Sequence, residues 1–169
     1  MQMVSRLNLN HVPFVSVDHM MQIVLQTGIE TVLAGIAEYI EQDFRRWELF
    51  DKTPRIASHS AAGVIELMPT SDGEVYGFKY VNGHPSNMRA GLQTVTAFGV
   101  LSDVATGYPV LLSEMTILTA LRTAAMSAVT VVMICAPSTA SCAEAQRTIS
   151  KPLPARFAAH FSVATGSMS

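Results

Sequence analysis

The chain has 169 residues, 49% apolar and 14% charged, with a net charge of −2. That length suits one domain rather than a two-domain enzyme, and the apolar share excludes disorder. The balance of charge gives no global field to draw nucleic acid, and two cysteines, Cys135 and Cys142, make neither a disulfide framework nor a zinc site, which fits a reducing, cytoplasmic setting.

Residues 1–11 are polar and patternless and read as a loose extension; no apolar core follows Arg6, so no secretory signal is expected. Val12 to Val17 reads as a short strand. Asp18 is the expected N-cap of a first helix from His19 to about Gln26, stopped by Thr27-Gly28. Glu30 to about Phe50 is the strongest helix signal. Val32, Leu33, Ile36, Ile40, Phe44 and Trp47 recur at three- and four-residue steps, with Trp47 expected in the core at the end of the stripe. Glu38, Glu41, Asp43, Arg45 and Arg46 are expected on the other faces.

Pro54 ends that helical region, and Arg55 to Ser58 is short and extended. Gly63 to Pro69 reads as a strand holding a single acid, Glu66. The turn Ser71-Asp72-Gly73 joins it to Val75–Val81 as a hairpin. In that second strand Tyr76, Phe78 and Tyr80 alternate with Lys79, which therefore faces away from the aromatic set. Thr94 to Asp103 and Tyr108 to Leu112 make a second hairpin around Ala105-Thr106-Gly107. Ser113 is the expected cap of a last helix running through Arg122 towards Ile134. The uncharged run from Thr123 to Ala143 is broken by Ser127, Thr130, Pro137, Ser138, Thr139 and Ser141, so its apolar part is shorter than the ~20 residues of a membrane span. A buried helix, and no membrane partner, is expected.

Helices followed by an antiparallel sheet define an α+β fold. Four charged residues, Arg55, Glu66, Lys79 and Arg122, lie in otherwise apolar segments of the sheet and the last helix. Three cations and one acid can converge on a small anion, most simply a carboxylate, because guanidinium groups match it bidentately and an ammonium adds a point charge. Scattered surface charge, with Lys79 guarding an edge strand, is the plainer alternative. His59 and His84 each sit beside a turn or strand end without a second ligand pattern, so a hydrogen-bonding role is expected and no metal site.

The motifs Asp43-Phe44-Arg45-Arg46-Trp47, Gly63-Val64-Ile65-Glu66-Leu67-Met68-Pro69, Phe78-Lys79-Tyr80-Val81-Asn82-Gly83-His84-Pro85 and Thr119-Ala120-Leu121-Arg122-Thr123 carry a resemblance to the ornithine cyclodeaminase/mu-crystallin family, its ornithine cyclodeaminase branch in particular. The resemblance runs from Val12 to about Ser127. It implies that Arg55, Lys79 and Arg122 grip the α-carboxylate of a small amino-acid substrate, with Glu66 lining the pocket. It implies that Thr94 and Arg122 touch a nicotinamide dinucleotide, NAD. The implied reaction is that of an ammonia lyase: L-ornithine is oxidised at Cα, loses ammonia, closes its ring and regains the hydride as L-proline. Residues 12–127 would be the family's substrate-binding and dimerisation domain, which implies a homodimer.

After the helix that carries Arg122 the chain departs from the family's pattern. The resemblance implies a following Rossmann domain with a Gly-rich turn, yet there is no glycine from Tyr108 to Thr165. Residues 128–169 therefore read as a divergent, irregular tail, such as a frameshift would leave, and the Rossmann domain as missing. No residue is named as the catalytic acid or base. The expectation is a truncated, inactive fragment of an ornithine cyclodeaminase. An imine reductase or amino-acid dehydrogenase of the same family, or a non-catalytic dimerisation or binding module, remains open beside it.

Overall fold

The computed structural model describes residues 11–135. A two-residue strand β1 (Phe14–Val15) leads into helices α1 (Val17–Thr27) and α2 (Ile29–Arg45). Strands β2 (Ile56–Ser60), β3 (Gly63–Ser71), β4 (Val75–Gly83), β5 (Ala97–Asp103) and β6 (Pro109–Glu114) follow, and α3 (Thr116–Cys135) closes the order. Short 3-10 turns occupy Trp47–Leu49 and Pro85–Ala90. The expected α+β arrangement of helices followed by a sheet is present. β2 to β6 form an antiparallel meander, and β1 adds a parallel edge beside β6, with Phe14 opposite Leu112, so the six-stranded sheet is mixed.

All three helices pack on one face of that sheet. Met20 of α1, Val32, Ile36 and Ile40 of α2, and Leu118 and Ala125 of α3 are buried together with Val75, Ala97 and Leu101 of the strands. The stripe read from α2 is the reason this helix docks, since residues three and four apart share a face. Three residues of this helical region behave otherwise than expected, and the first is Phe44, a member of the stripe that is 39% exposed. Asp43 does not take an outer face; it is only 2% exposed, because it follows Ile36 and Ile40 at seven and three residues and so continues their stripe. Trp47 is half-buried rather than in the core. It stacks on Phe44 at 5.7 Å between ring centroids and carries the Lys52 ammonium 5.6 Å from its ring centroid, while Phe50 is the buried aromatic of this segment.

Caps and ends also shift. α1 is capped by the Ser16 hydroxyl, which accepts from the His19 backbone N–H at 3.3 Å, so Asp18 lies in the first turn and complements the helix dipole rather than capping it. The expected first strand shrinks to two residues as a result. α3 is capped by Glu114, whose Oε2 accepts from the N–H groups of Thr116 and Ile117 at 2.9 and 3.2 Å. Ser113 is instead buried in β6 and donates its hydroxyl hydrogen to the Glu114 carbonyl. β5 begins at Ala97, not Thr94, because Asn82 Oδ1 accepts from both the backbone N–H and the hydroxyl of Thr96 and ties that residue to the end of β4. Residues 1–10 and 136–169, where the loose extension and most of the tail were expected, lie outside the described residues.

The β2–β3 turn depends on Gly63. Its φ is +156°, and a Cβ there would run into the Gly83 carbonyl oxygen and meet His84 at 3.0 Å. Gly63→Ala is expected to destabilise the fold by about 1–3 kcal/mol, read from the midpoint of urea unfolding. An unshifted midpoint would show that the strand ends are looser than this packing implies.

Candidate functional site

β4 is a central strand, hydrogen-bonded to β3 on one side and β5 on the other. Residues paired across an antiparallel ladder share a face. Lys79 pairs with Met68 and Gly99, and so faces the helices with Val75, Gly77 and Val81. It is therefore not an edge-strand lysine but an ammonium 3% exposed, on the buried face of the middle of the sheet. Glu66, paired with Val81, lies on the same face. Arg55, just before β2, turns onto Glu66 with Nη1 3.1 Å from Oε1.

Arg122 comes from the helix layer. It follows Leu118 by four residues and precedes Ala125 by three, so all three lie on the inner side of α3. The sequence-predicted residues Arg55, Glu66, Lys79 and Arg122 are thus brought together: the charges of Arg122, Arg55 and Glu66 all act on Lys79. Among the described residues Lys79 has no ion pair, whereas Arg55 has Glu66. Burial first, then the positive charges of Arg122 and Arg55, push the Lys79 ammonium down from an ordinary 10.5 to about 8, against the pull of Glu66. Burial likewise lowers Arg122, and the carboxylate of Asp43 opposes it. Such a cluster has a surplus of positive charge in a water-poor place, the condition for holding an anion.

Thr94 is half-buried at the bend before β5, with its carbonyl accepting from the His84 backbone N–H at 2.8 Å. His84 Nδ1 lies 3.3 Å from the side-chain amide of Asn82, and His59 is exposed on β2. The two residues expected at a dinucleotide lie on different elements, Thr94 at that bend and Arg122 on α3. Among the described residues the passages from strand to α-helix are Ser16 and Met115, which hold no glycine and so form no Gly-rich cradle for a pyrophosphate. Among the described residues no single helix is long and apolar enough to cross a membrane.

The sequence reading missed Asp43 as part of this neighbourhood. Besides Arg122, it faces Arg46, whose Nη2 lies 3.1 Å from Oδ1. The signal was present, since Asp43 falls on the period of Ile36 and Ile40.

The model of the ornithine cyclodeaminase/mu-crystallin family matches residues 17–143. An ornithine cyclodeaminase of Brucella abortus biovar 1 (strain 9-941) is 74% identical over 127 residues, which are 75% of this chain and 35% of that protein. A solved lysine cyclodeaminase, described for its recognition of L-lysine, L-ornithine and L-2,4-diamino butyric acid, aligns at 25% identity with a TM-score of 0.61, over 69% of this chain and 36% of its own. The Delta(1)-pyrroline-2-carboxylate reductase of Thermococcus litoralis, solved with NADH and L-proline, aligns at 26% identity with a TM-score of 0.57, over 68% of this chain and 35% of its own. The chain spans about a third of the length of these relatives.

The depressed Lys79 carries a stability signature. Between about pH 8 and 10.5 the unfolded chain keeps the Lys79 proton that the folded chain has lost, so folding gains stability from this group as pH rises through that window. Lys79→Met should therefore be more stable than the parent at pH 7, with the advantage shrinking as pH approaches 10. Urea unfolding of both proteins across that range checks it; a gap independent of pH would mean that Lys79 titrates normally.

Proposed function

The chain belongs to the ornithine cyclodeaminase/mu-crystallin family, and from that premise we propose that it carries the substrate-carboxylate half of an ornithine cyclodeaminase active site. The observation behind this reading is the buried ammonium of Lys79, without an ion pair among the described residues, with two guanidinium groups near enough to depress it. An amino-acid α-carboxylate supplies the missing negative charge. Lys79 offers it a point charge, while Arg55 and Arg122 offer forked donors that fix its plane. Glu66 holds Arg55 in place and lines the polar side. Such a clamp fixes the substrate's Cα in one position, which is what a hydride transfer at Cα requires.

The reaction we assign to the intact site is that of an ammonia lyase converting L-ornithine to L-proline. The chemistry NAD supplies when bound is acceptance and return of the hydride at Cα. Thr94 and Arg122 would touch its edge. Residues 12–127 form the substrate-binding and dimerisation unit in a cytoplasmic protein; of residues 128–169, read as a divergent tail, 128–135 continue α3 and the family match reaches 143. No group in this chain is assigned as the catalytic acid or base. The likeness to a pyrroline-carboxylate reductase favours a second reading, a reductase or amino-acid dehydrogenase with the same clamp.

Homodimerisation is part of the proposal. The sheet face away from the helices is apolar and exposed: Phe98, Tyr76, Leu67 and Ile65 all stand open to solvent there, and Tyr80 stacks on Phe98 at 5.0 Å. Apolar side chains gathered on one face mark a protein contact.

L-Ornithine is expected to perturb the Lys79 Nζ resonance of the 169-residue chain, whereas putrescine, which lacks the carboxylate, is not. An equal response to both would remove the clamp. Arg122→Ala should weaken ornithine binding by about 2–5 kcal/mol, the range for stripping one partner from a desolvated charge pair. The same preparation, given NAD⁺ and L-ornithine, should form no proline; ordinary turnover would show that the tail supplies what the described residues lack. In sedimentation the chain should run as a dimer and Phe98→Glu as a monomer, and a dimer indifferent to that substitution would place the interface elsewhere.

A further inference from the structure

We infer that Asp43 is a positioning residue, which holds the Arg122 guanidinium beside Lys79 as the inner link of an ionic chain running Asp72, Arg46, Asp43, Arg122. The inference deepens the carboxylate-site reading and rests on it for its purpose, but its test needs no carboxylate.

The chain can be followed from its fixed end. Asp72 sits in the β3–β4 turn, and its Oδ1 accepts from the backbone N–H groups of Glu74 and Val75 at 3.0 and 2.9 Å. Its Oδ2 lies 3.7 Å from Arg46 Nη1. Arg46 lies over the Phe50 ring, 5.3 Å from its centroid, and turns Nη2 to within 3.1 Å of Asp43 Oδ1. Asp43 is nearly closed to solvent, and a carboxylate in such a place is costly unless cations surround it. Arg46 is the outer of these cations. On the inner side α2 packs against α3, and the carboxylate acts on Arg122.

Arg122 needs such an anchor. It stands close enough to Lys79 to be the strongest charge acting on it, and like charges repel. A carboxylate behind Arg122 offsets that repulsion and fixes where the guanidinium stands before any ligand arrives. The path also closes on itself. The hairpin that carries Lys79 on β4 holds Asp72 at its turn, so the position of Arg122 is referred back to the strand bearing its neighbour.

The sign of one measurement separates positioning from mere charge. If Arg122 stayed in place, Asp43→Asn would remove a negative charge from the neighbourhood, and Lys79 would titrate at or below its present value of about 8. If Asp43 holds Arg122, the same substitution lets the guanidinium swing away, and Lys79 rises from about 8 towards the ordinary 10.5 with Arg55 and Glu66 still in place. The experiment is the pH titration of the Lys79 Nζ resonance in the full chain, in the parent, Asp43→Asn, Arg122→Met and the double variant. A rise in Asp43→Asn, with the double variant titrating like Arg122→Met alone, is expected. A lower or unchanged value in folded Asp43→Asn overturns the inference.

Should Asp43→Asn fail to fold, the double variant decides. It strands neither buried charge, so recovery of a cooperative melt supports the partnership and failure to recover overturns it. An L-ornithine titration of the parent is run beside these. Lys79 rising in Asp43→Asn while the parent ignores ornithine would sink the carboxylate reading and leave the positioning of Arg122 standing.

Discussion

A lysine on the inner face of a central strand is the constraint around which this fold is arranged. Lys79 displaces apolar volume from a position between β3 and β5 that would ordinarily hold a Val or Ile. The sheet makes room for it. Its partner across the β4–β5 ladder is Gly99, and Gly77 lies two residues earlier on the same face, so its flanks on this side carry no Cβ. Gathering two arginines near such an ammonium is tolerable only because each has its own carboxylate: Glu66 for Arg55, and Asp43 opposing the burial of Arg122. The charges close to balance and leave Lys79 as the surplus.

The two faces of the sheet then divide the work. The face towards the helices carries both the apolar core and, set within it, the ionic cluster. The other face is apolar, and no helix of the described residues covers it. This asymmetry follows from strict alternation in β4, where Lys79 and the Tyr76-Phe78-Tyr80 series cannot share a side. A one-residue slip of register would exchange them, placing a cation on the apolar outer face and aromatic rings against α2 and α3. The close approach of Gly63 to Gly83 pins the end of that ladder.

What could be read from the sequence was mostly what has a period. The α2 stripe, the alternation of β4 and the inward side of α3 were legible, and they sufficed to bring Lys79, Glu66 and Arg122 to one place. What escaped depended on competition between neighbouring side chains. Ser16 and Asp18 are both good capping residues, and the choice falls to the one whose hydroxyl reaches the His19 N–H. Ser113 and Glu114 compete likewise, and the strand claims the serine. Thr94 to Thr96 have strand-forming character, but the Asn82 side chain takes the Thr96 N–H, leaving only the Thr96 carbonyl to accept from the Asn82 backbone. Asp43 was assigned to an outer face by the rule that charge is solvated. Its position on the stripe outweighs that rule once cations stand on both sides.

The parallel pairing of β1 with β6 has a consequence for the order in which the molecule can be assembled. Phe14 and Val15 must wait for Leu112 and Ser113, and Ile36 and Ile40 of α2 must wait for Ala97, Leu101 and Leu118. On a chain emerging from a ribosome, the amphipathic helices are therefore made long before the surface they cover exists. The meander of β2 to β6 closes through connections local in sequence, the longest of them the 84–96 segment with its 3-10 turn, and the earliest-synthesised segments dock onto it last. During that interval the apolar side of α2 is the part of the nascent chain most in need of shelter.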